Sequence, residues 1–211
     1  MVSNIQAKDI SLSVLENKFG IQLVEDEQFF REWQDNLPEI TDFDKQFLDQ
    51  VKASYFNLIK YPPMLETTVK MVVLSPLLQL AGFYLFPFHI KSEAEIEISF
   101  EDEEDQTIIR GKMDVLVLQE VFWVMAIESK RAEVSIETGL AQILAYMLAN
   151  PHSDRPLFGM LANGRDFQFI KMTRQGTPQY ALSNSFDVRN RGNELYTVLR
   201  IMKLIAGIIR E

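Results

Sequence analysis

The sequence predicts an α/β domain, with a central mixed β-sheet flanked by helices and a helical extension at the N-terminus. Three observations lead there. The first sixty residues, and again residues 64–81, repeat their apolar side chains at helical spacing. From Leu85 the period falls to two, and two long apolar runs follow, "TIIRGKMDVLVLQ" and "VFWVMAIESK", as expected of central strands covered on both faces. Beyond them a helical stretch, two strand-like runs around an Asn-Gly turn and a last helical stretch complete the α/β order.

In the extension, residues 25–34 ("EDEQFFREWQ") place Phe29, Phe30 and Trp33 on one face of a helix. The next segment, "TDFDKQFLDQVKASYFNLIK", opens with Thr41 as N-cap and carries Asp44 three residues on, a capping-box pattern. Pro62 and Pro63 stop that helix. Another, from about Met64 to Ala81, carries one acid, Glu66, near its start and is closed by Gly82. In "AEIEISFE", Ile96, Ile98 and Phe100 alternate with Glu95, Glu97 and Ser99, the pattern of a strand with one wet face. After Ser135, "SIETGLAQILAYMLAN" reads as a helix ending at Asn150 and Pro151. "PLFGMLANG" and "DFQFIKMT" read as strand, turn at Asn163 and Gly164, and strand. The last helix, about Asn193 to Ile209, turns Leu195, Leu199, Met202 and Ile205 or Ile209 toward the core. Residues 1–63 thus form the extension, packed on a domain of residues 64–211.

A chain of 211 residues suffices for one domain with a sizeable core. The absence of cysteine removes disulfides, thiolate zinc sites and cysteine nucleophiles together and suits a reducing compartment. With no basic-then-apolar leader, the expected location is cytoplasmic. Residues 71–90 carry no charge and approach the ~20 residues of a spanning helix, but Pro76, Gln79, Gly82 and Pro87 interrupt them, so they read as a buried helix followed by a strand. No membrane partner is expected. The net charge of −9 opposes nucleic-acid binding, which draws on cations facing phosphates. Its distribution softens the objection: eight acids and no base fall in residues 93–105, read as a solvated acidic hairpin, whereas residues 106–211 hold thirteen Lys/Arg against ten Asp/Glu. Only His89 and His152 supply imidazole, so a metal site would be built mainly from oxygen, favouring Mg²⁺ or Mn²⁺. Zinc fails on ligand count, and no G-x-S-x-G elbow supports a serine triad.

The chemistry gathers at the strand tips. Side chains two apart on a strand share a face, so Glu128 and Lys130 continue the row Phe122, Val124 and Ala126. If the neighbouring strand sets Asp114 alongside, two carboxylates meet beside one ammonium. Such a pair of hard oxygen ligands attracts Mg²⁺, which usually keeps several waters and also binds phosphate.

Asp114, thirteen intervening residues, then Glu128-Ser129-Lys130 resembles the D…ExK signature of the PD-(D/E)XK nuclease superfamily, and "GKMDVLVL…VMAIESK" is similar to the nuclease region of the motor subunit of type I restriction enzymes. Members precede the aspartate with a helix bearing an acid, a place filled here by Glu66. In the branch that resembles recombination-repair exonucleases, a Q-x-x-x-Y helix follows the ExK strand, and Gln142 and Tyr146 stand in that pattern. "LANGRDFQFI" also resembles the turn and aromatic strand that close the core in the restriction-subunit branch. The resemblance covers roughly Met64 to Met172. It departs at Met113, where the superfamily's name has proline. It implies a restriction-endonuclease-like core and Mg²⁺- or Mn²⁺-dependent hydrolysis of DNA. Asp114 and Glu128 would be metal ligands and Glu66 a further ligand or water bridge. Lys130 would orient or activate the attacking water, while Gln142 and Tyr146 support the strand or the substrate. Without helicase motifs or a Walker loop, the chain corresponds to the nuclease module without its motor.

Two other readings stay open: a catalytically inactive subunit of the same fold that binds protein or DNA, and a purely structural ion cluster. Arg165, Lys171, Arg174, Arg189 and Arg191 are either phosphate contacts or solvated surface. The apolar C-terminal helix offers a route to a homodimer.

Overall fold

The computed structural model describes residues 2–101, 106–152 and 155–210. In chain order the elements are β1 (Val2–Gln6), α1 (Leu12–Phe19), β2 (Gln22–Leu23), α2 (Asp42–Leu58), α3 (Glu66–Val69), α4 (Ser75–Ala81), β3 (Phe88–Glu101), β4 (Gln106–Gln119), β5 (Phe122–Ser129), α5 (Leu140–Leu148), β6 (Leu157–Ala162), β7 (Asp166–Thr173), β8 (Gln179–Asp187) and α6 (Leu195–Arg210). The strands form one mixed sheet in the order β1-β4-β5-β6-β7-β8-β2, with β3 also on β4. The expected α/β class with a mixed sheet flanked by helices is what the chain adopts. Part of the acidic run, residues 102–105, lies outside the described residues.

Two apolar layers sandwich the sheet. On one face α2, α4 and α6 bury Leu48, Tyr55, Leu77, Leu199, Met202 and Ile205 against Val117, Ile127 and Phe169. On the other, α1 and α5 bury Leu15, Ile143, Leu144 and Met147 against Ile109, Leu116 and Ala126. The continuous apolar runs of β4 and β5 follow from this double coverage. Helix α6 spends Leu195, Leu199, Met202 and Ile205 on the core.

Local chemistry sets most helix ends. Thr41 Oγ1 accepts from the Asp44 amide at 3.1 Å and Asp44 Oδ2 from the Thr41 amide at 3.0 Å, the reciprocal capping box expected for α2. Gly82, at φ 82°, closes α4 in the left-handed conformation that glycine adopts without penalty. Between α3 and α4 the helix widens into a π turn, Lys70–Leu74. Pro76 follows after Ser75; proline has no N–H to donate to the carbonyl four residues back and in a regular helix its ring would crowd that oxygen. Among the described residues no helix is long and apolar enough to cross a membrane.

Several expectations need correction. The N-terminal extension is not wholly helical, since β1 pairs in parallel with β4 and β2 with β8. Residues 25–34 form isolated turns. Lys171 Nζ takes the Phe29 carbonyl at 2.8 Å and Glu32 Oε1 at 2.6 Å, drawing away an acceptor that a helix would use internally. Phe29, Phe30 and Trp33 still reach the core. Strand β8 was not expected. Its buried Ser183 accepts from the Phe169 amide at 2.9 Å, beside a register shift, so a polar residue sits where the period-two pattern calls for an apolar one.

Candidate functional site

Strand β4 shares one edge between two partners. Its first five residues pair with β1 and its last five with β5, while β3 runs along the other edge. The gap left on the shared edge spans Gly111 to Asp114. On the β3 side the ladder also breaks at this point, between Ser92↔Val115 and Ala94↔Met113, where Glu93 has φ 51°. Asp114 therefore stands where the strand is released from its neighbours, free to present a carboxylate rather than complete a ladder.

One residue beyond the Val115↔Ile127 pair lie Asp114 and Glu128, so the two acids occupy adjoining strand ends. Asp114 Oδ2 accepts the Ser129 amide at 2.7 Å. Glu128 is only 4% exposed. Its Oε1 accepts from Lys130 Nζ at 2.8 Å, and its Oε2 is buried without a hydrogen-bond partner. Burial first, and the Asp114 charge second, push the Glu128 carboxyl up to about 7 against the pull of Lys130. The expected row is broken: a register shift in the β4–β5 ladder leaves Val124 in the opposite core layer from Ala126, and only Ala126, Glu128 and Lys130 continue it. The side chain of Phe122 lies outside the described residues.

Helix α5 braces the lysine. Lys130 Nζ donates to Gln142 Oε1 at 2.7 Å, Gln142 Nε2 donates to Tyr146 Oη at 2.7 Å, and Tyr146 donates to the Lys112 carbonyl at 2.9 Å. That carbonyl falls in the unpaired gap of β4, which is why it can take the phenol. The i, i+4 spacing puts amide and phenol on one helix face, and both side chains are buried, Tyr146 at 1% exposure. Burial raises the Tyr146 hydroxyl well above its ordinary range, so it remains a proton donor. Gln142 and Tyr146 thus hold Lys130 from behind and do not face solvent. Gly139, just before α5, lets the helix close on the site: a Cβ there would lie 2.9 Å from Leu161 and 3.1 Å from Lys130 Cε.

Glu66, at the start of α3, reaches the site through a residue that the pattern of acids did not suggest. Lys70 Nζ lies 2.9 Å from Glu66 Oε1 and 2.5 Å from Asp114 Oδ1. Burial lowers its pKa, but the hydrogen bonds and charges of Asp114 and Glu66 outweigh this and raise it. The only signal in the sequence is the Glu66/Lys70 i, i+4 pair, which ordinarily marks a solvated helix face. The α3 start is tied to the loop after β5, with the Met64 amide donating to Glu133 Oε1 at 3.2 Å and the Ala132 amide to the Met64 carbonyl at 3.4 Å. From Lys70 and Asp114 a cleft of about 640 Å³ opens outward past Ser75, Tyr84 and Ser92.

The donors of a divalent cation would be Asp114 and Glu128, two hard oxygen ligands, one of them with a buried oxygen lacking any partner. This fits a Mg²⁺-type ion that completes its shell with water. Among the described residues no three His, Asp or Glu side chains converge into a ready metal-binding group; Glu66 Oε1 is paired with Lys70. The candidate phosphate contacts are largely engaged inside the protein: Arg165 pairs with Asp166, Lys171 with Glu32 and Arg189 with Asp187, and Arg174 donates to the Asn150 carbonyl. Comparison with protein-family models finds no match for this chain, and no curated protein matches it significantly.

Proposed function

We propose that the chain is a metal-dependent nuclease that hydrolyses phosphodiester bonds in DNA, built on a core of the restriction-endonuclease-like type. The observation that carries this reading is the pair of carboxylates on adjoining strand ends, one desolvated with a partnerless oxygen, beside a lysine clamped by two side-chain oxygens. Two neighbouring acids in a buried setting oppose each other's ionisation unless a cation joins them. Asp114 and Glu128 would hold Mg²⁺ or Mn²⁺, with Glu66 as a further ligand or water bridge. When bound, the ion would polarise phosphoryl oxygens and acidify water. Lys130 keeps an ammonium at the site, orienting the attacking water and offsetting the charge that develops on the phosphoryl oxygens. Water adds at phosphorus as the P–O bond to the leaving nucleoside breaks, leaving a phosphomonoester and an alcohol. Gln142 and Tyr146 are positioning residues that act through Lys130.

The test is incubation of plasmid, linear duplex and single-stranded DNA with the protein and Mn²⁺, alongside thermal unfolding with and without the ion. The parent protein is expected to cleave DNA and to gain thermal stability from the metal. Asp114→Asn should lose both, and Lys130→Met should keep the thermal gain while losing on the order of 100-fold in rate. Cleavage that persists in Lys130→Met, or a parent protein indifferent to divalent ions, overturns the proposal. The internal engagement of Arg165, Lys171 and Arg189 favours a second reading, an inactive module of the same fold that binds protein; neither retention nor cleavage of DNA in Mn²⁺ is its signature.

A further inference from the structure

We propose that Lys70 is the resident cation of this site: its ammonium occupies the place between Glu66 and Asp114, and a divalent ion gains those carboxylates only by displacing it. The inference rests on the metal-centre reading above and adds what controls loading. Lys70 bonds one oxygen of Glu66 at 2.9 Å and one of Asp114 at 2.5 Å. The other Asp114 oxygen is taken by the Ser129 amide, so neither oxygen of Asp114 is left without a partner. Glu128 stands in the opposite condition, with Oε2 buried and unpartnered. One ligand therefore has an oxygen without a partner and the next is held by the lysine, and no converged three-carboxylate group is found among the described residues.

Charge and space both favour exchange over simple addition. Glu66, Asp114 and Glu128 face two ammonium groups, Lys70 and Lys130, and two more positive charges added without release of one would leave the site with a net excess of cation. Lys130 is tied on both sides by Glu128 and Gln142, whereas Lys70 is the more exposed, at 28% against 18%. It lies on the wall of the 640 Å³ cleft, so its flexible stem has room to turn outward. It is the first residue of the π turn, a helix irregularity frequent at functional sites, and its ammonium reaches Asp114 on β4.

Mn²⁺ binding to the parent protein, Lys70→Met and the double variant Lys70→Met/Asp114→Asn, read by the spin-resonance signal of the free ion, tests this without any activity measurement. Lys70→Met is expected to bind about tenfold more tightly, equivalent to ~1.4 kcal/mol of competition removed, and the double variant to lose the gain. Should Lys70→Met fold poorly, amine labelling of the parent protein read by mass spectrometry replaces it: Lys70 should become several-fold more reactive on addition of Mg²⁺ while Lys130 does not. Equal affinity in parent and Lys70→Met, or Lys70 labelling unmoved by a bound ion, overturns the resident-cation inference and leaves the nuclease reading standing. Absence of Mn²⁺ binding in all three proteins overturns both.

Discussion

Glu128 allows the site to be tested by stability alone. Replacing it with Gln keeps its shape and leaves an oxygen to accept from Lys130, while removing a carboxylate that is 4% exposed and pushed up to about 7 by burial and by Asp114. In the unfolded chain the same group has its ordinary value, 4.5. Between those two values the folded protein therefore binds the proton that the unfolded chain has released, and stability falls as pH rises through that window. Below it both states are neutral and the group costs nothing; above it the penalty is constant. At ~1.4 kcal/mol per pH unit the displacement amounts to about 3 kcal/mol, which water entry into a real site lowers to about 2–3 kcal/mol. Urea unfolding of the parent protein and Glu128→Gln in the presence of EDTA, at several pH values from 4 to 8, gives the answer directly. The variant should gain steadily on the parent across the window and then hold a constant lead. Parallel profiles would mean that Glu128 is solvated or distant from Asp114, and the geometry argued for the site would fall with them.

Three further outcomes follow from the structure. Gly111→Ala places a Cβ 2.7 Å from Ala7 Cβ and 3.0 Å from the Tyr146 ring; a loss of about 1–3 kcal/mol is expected in urea unfolding, together with reduced cleavage, because Tyr146 anchors Gln142 behind Lys130. Asn163 is fully buried, donates to the Val134 carbonyl and accepts from the amides of Arg165 and Asp166, so Asn163→Ala should lower stability by about 2–4 kcal/mol through the groups it leaves unpaired. The Asp44 carboxyl is raised by burial but lowered more by the bonds from Lys203 and Thr41, ending below its ordinary 3.8. Its contribution is complete above that value and lost as pH falls through the lower folded one, so Asp44→Asn should destabilise at neutral pH and flatten the acid limb of the unfolding profile.

Much of the fold was legible from local signals. The capping residues Thr41 and Asp44 marked α2, Gly82 ended α4, and the apolar runs around Asp114 and Glu128 announced strands covered on both faces, because caps, turns and periodicity depend on residues a few positions apart. Strand β8 and the turns of residues 25–34 were not legible: Ser183 and Lys171 take their roles from backbone groups that only the folded sheet brings to them.

The site divides the same way. The Glu128/Lys130 spacing and the Gln142/Tyr146 spacing place each pair on one face of its element whatever the rest of the chain does, so the amino-acid order alone determined those two alignments. Tertiary structure decided that β5 lies beside β4, which brings Asp114 to Ser129, and that α3 crosses near enough for Lys70 to bridge Glu66 and Asp114. Ion partners forty-four residues apart are selected by strand pairing and helix packing, and no spacing rule along the chain encodes that meeting.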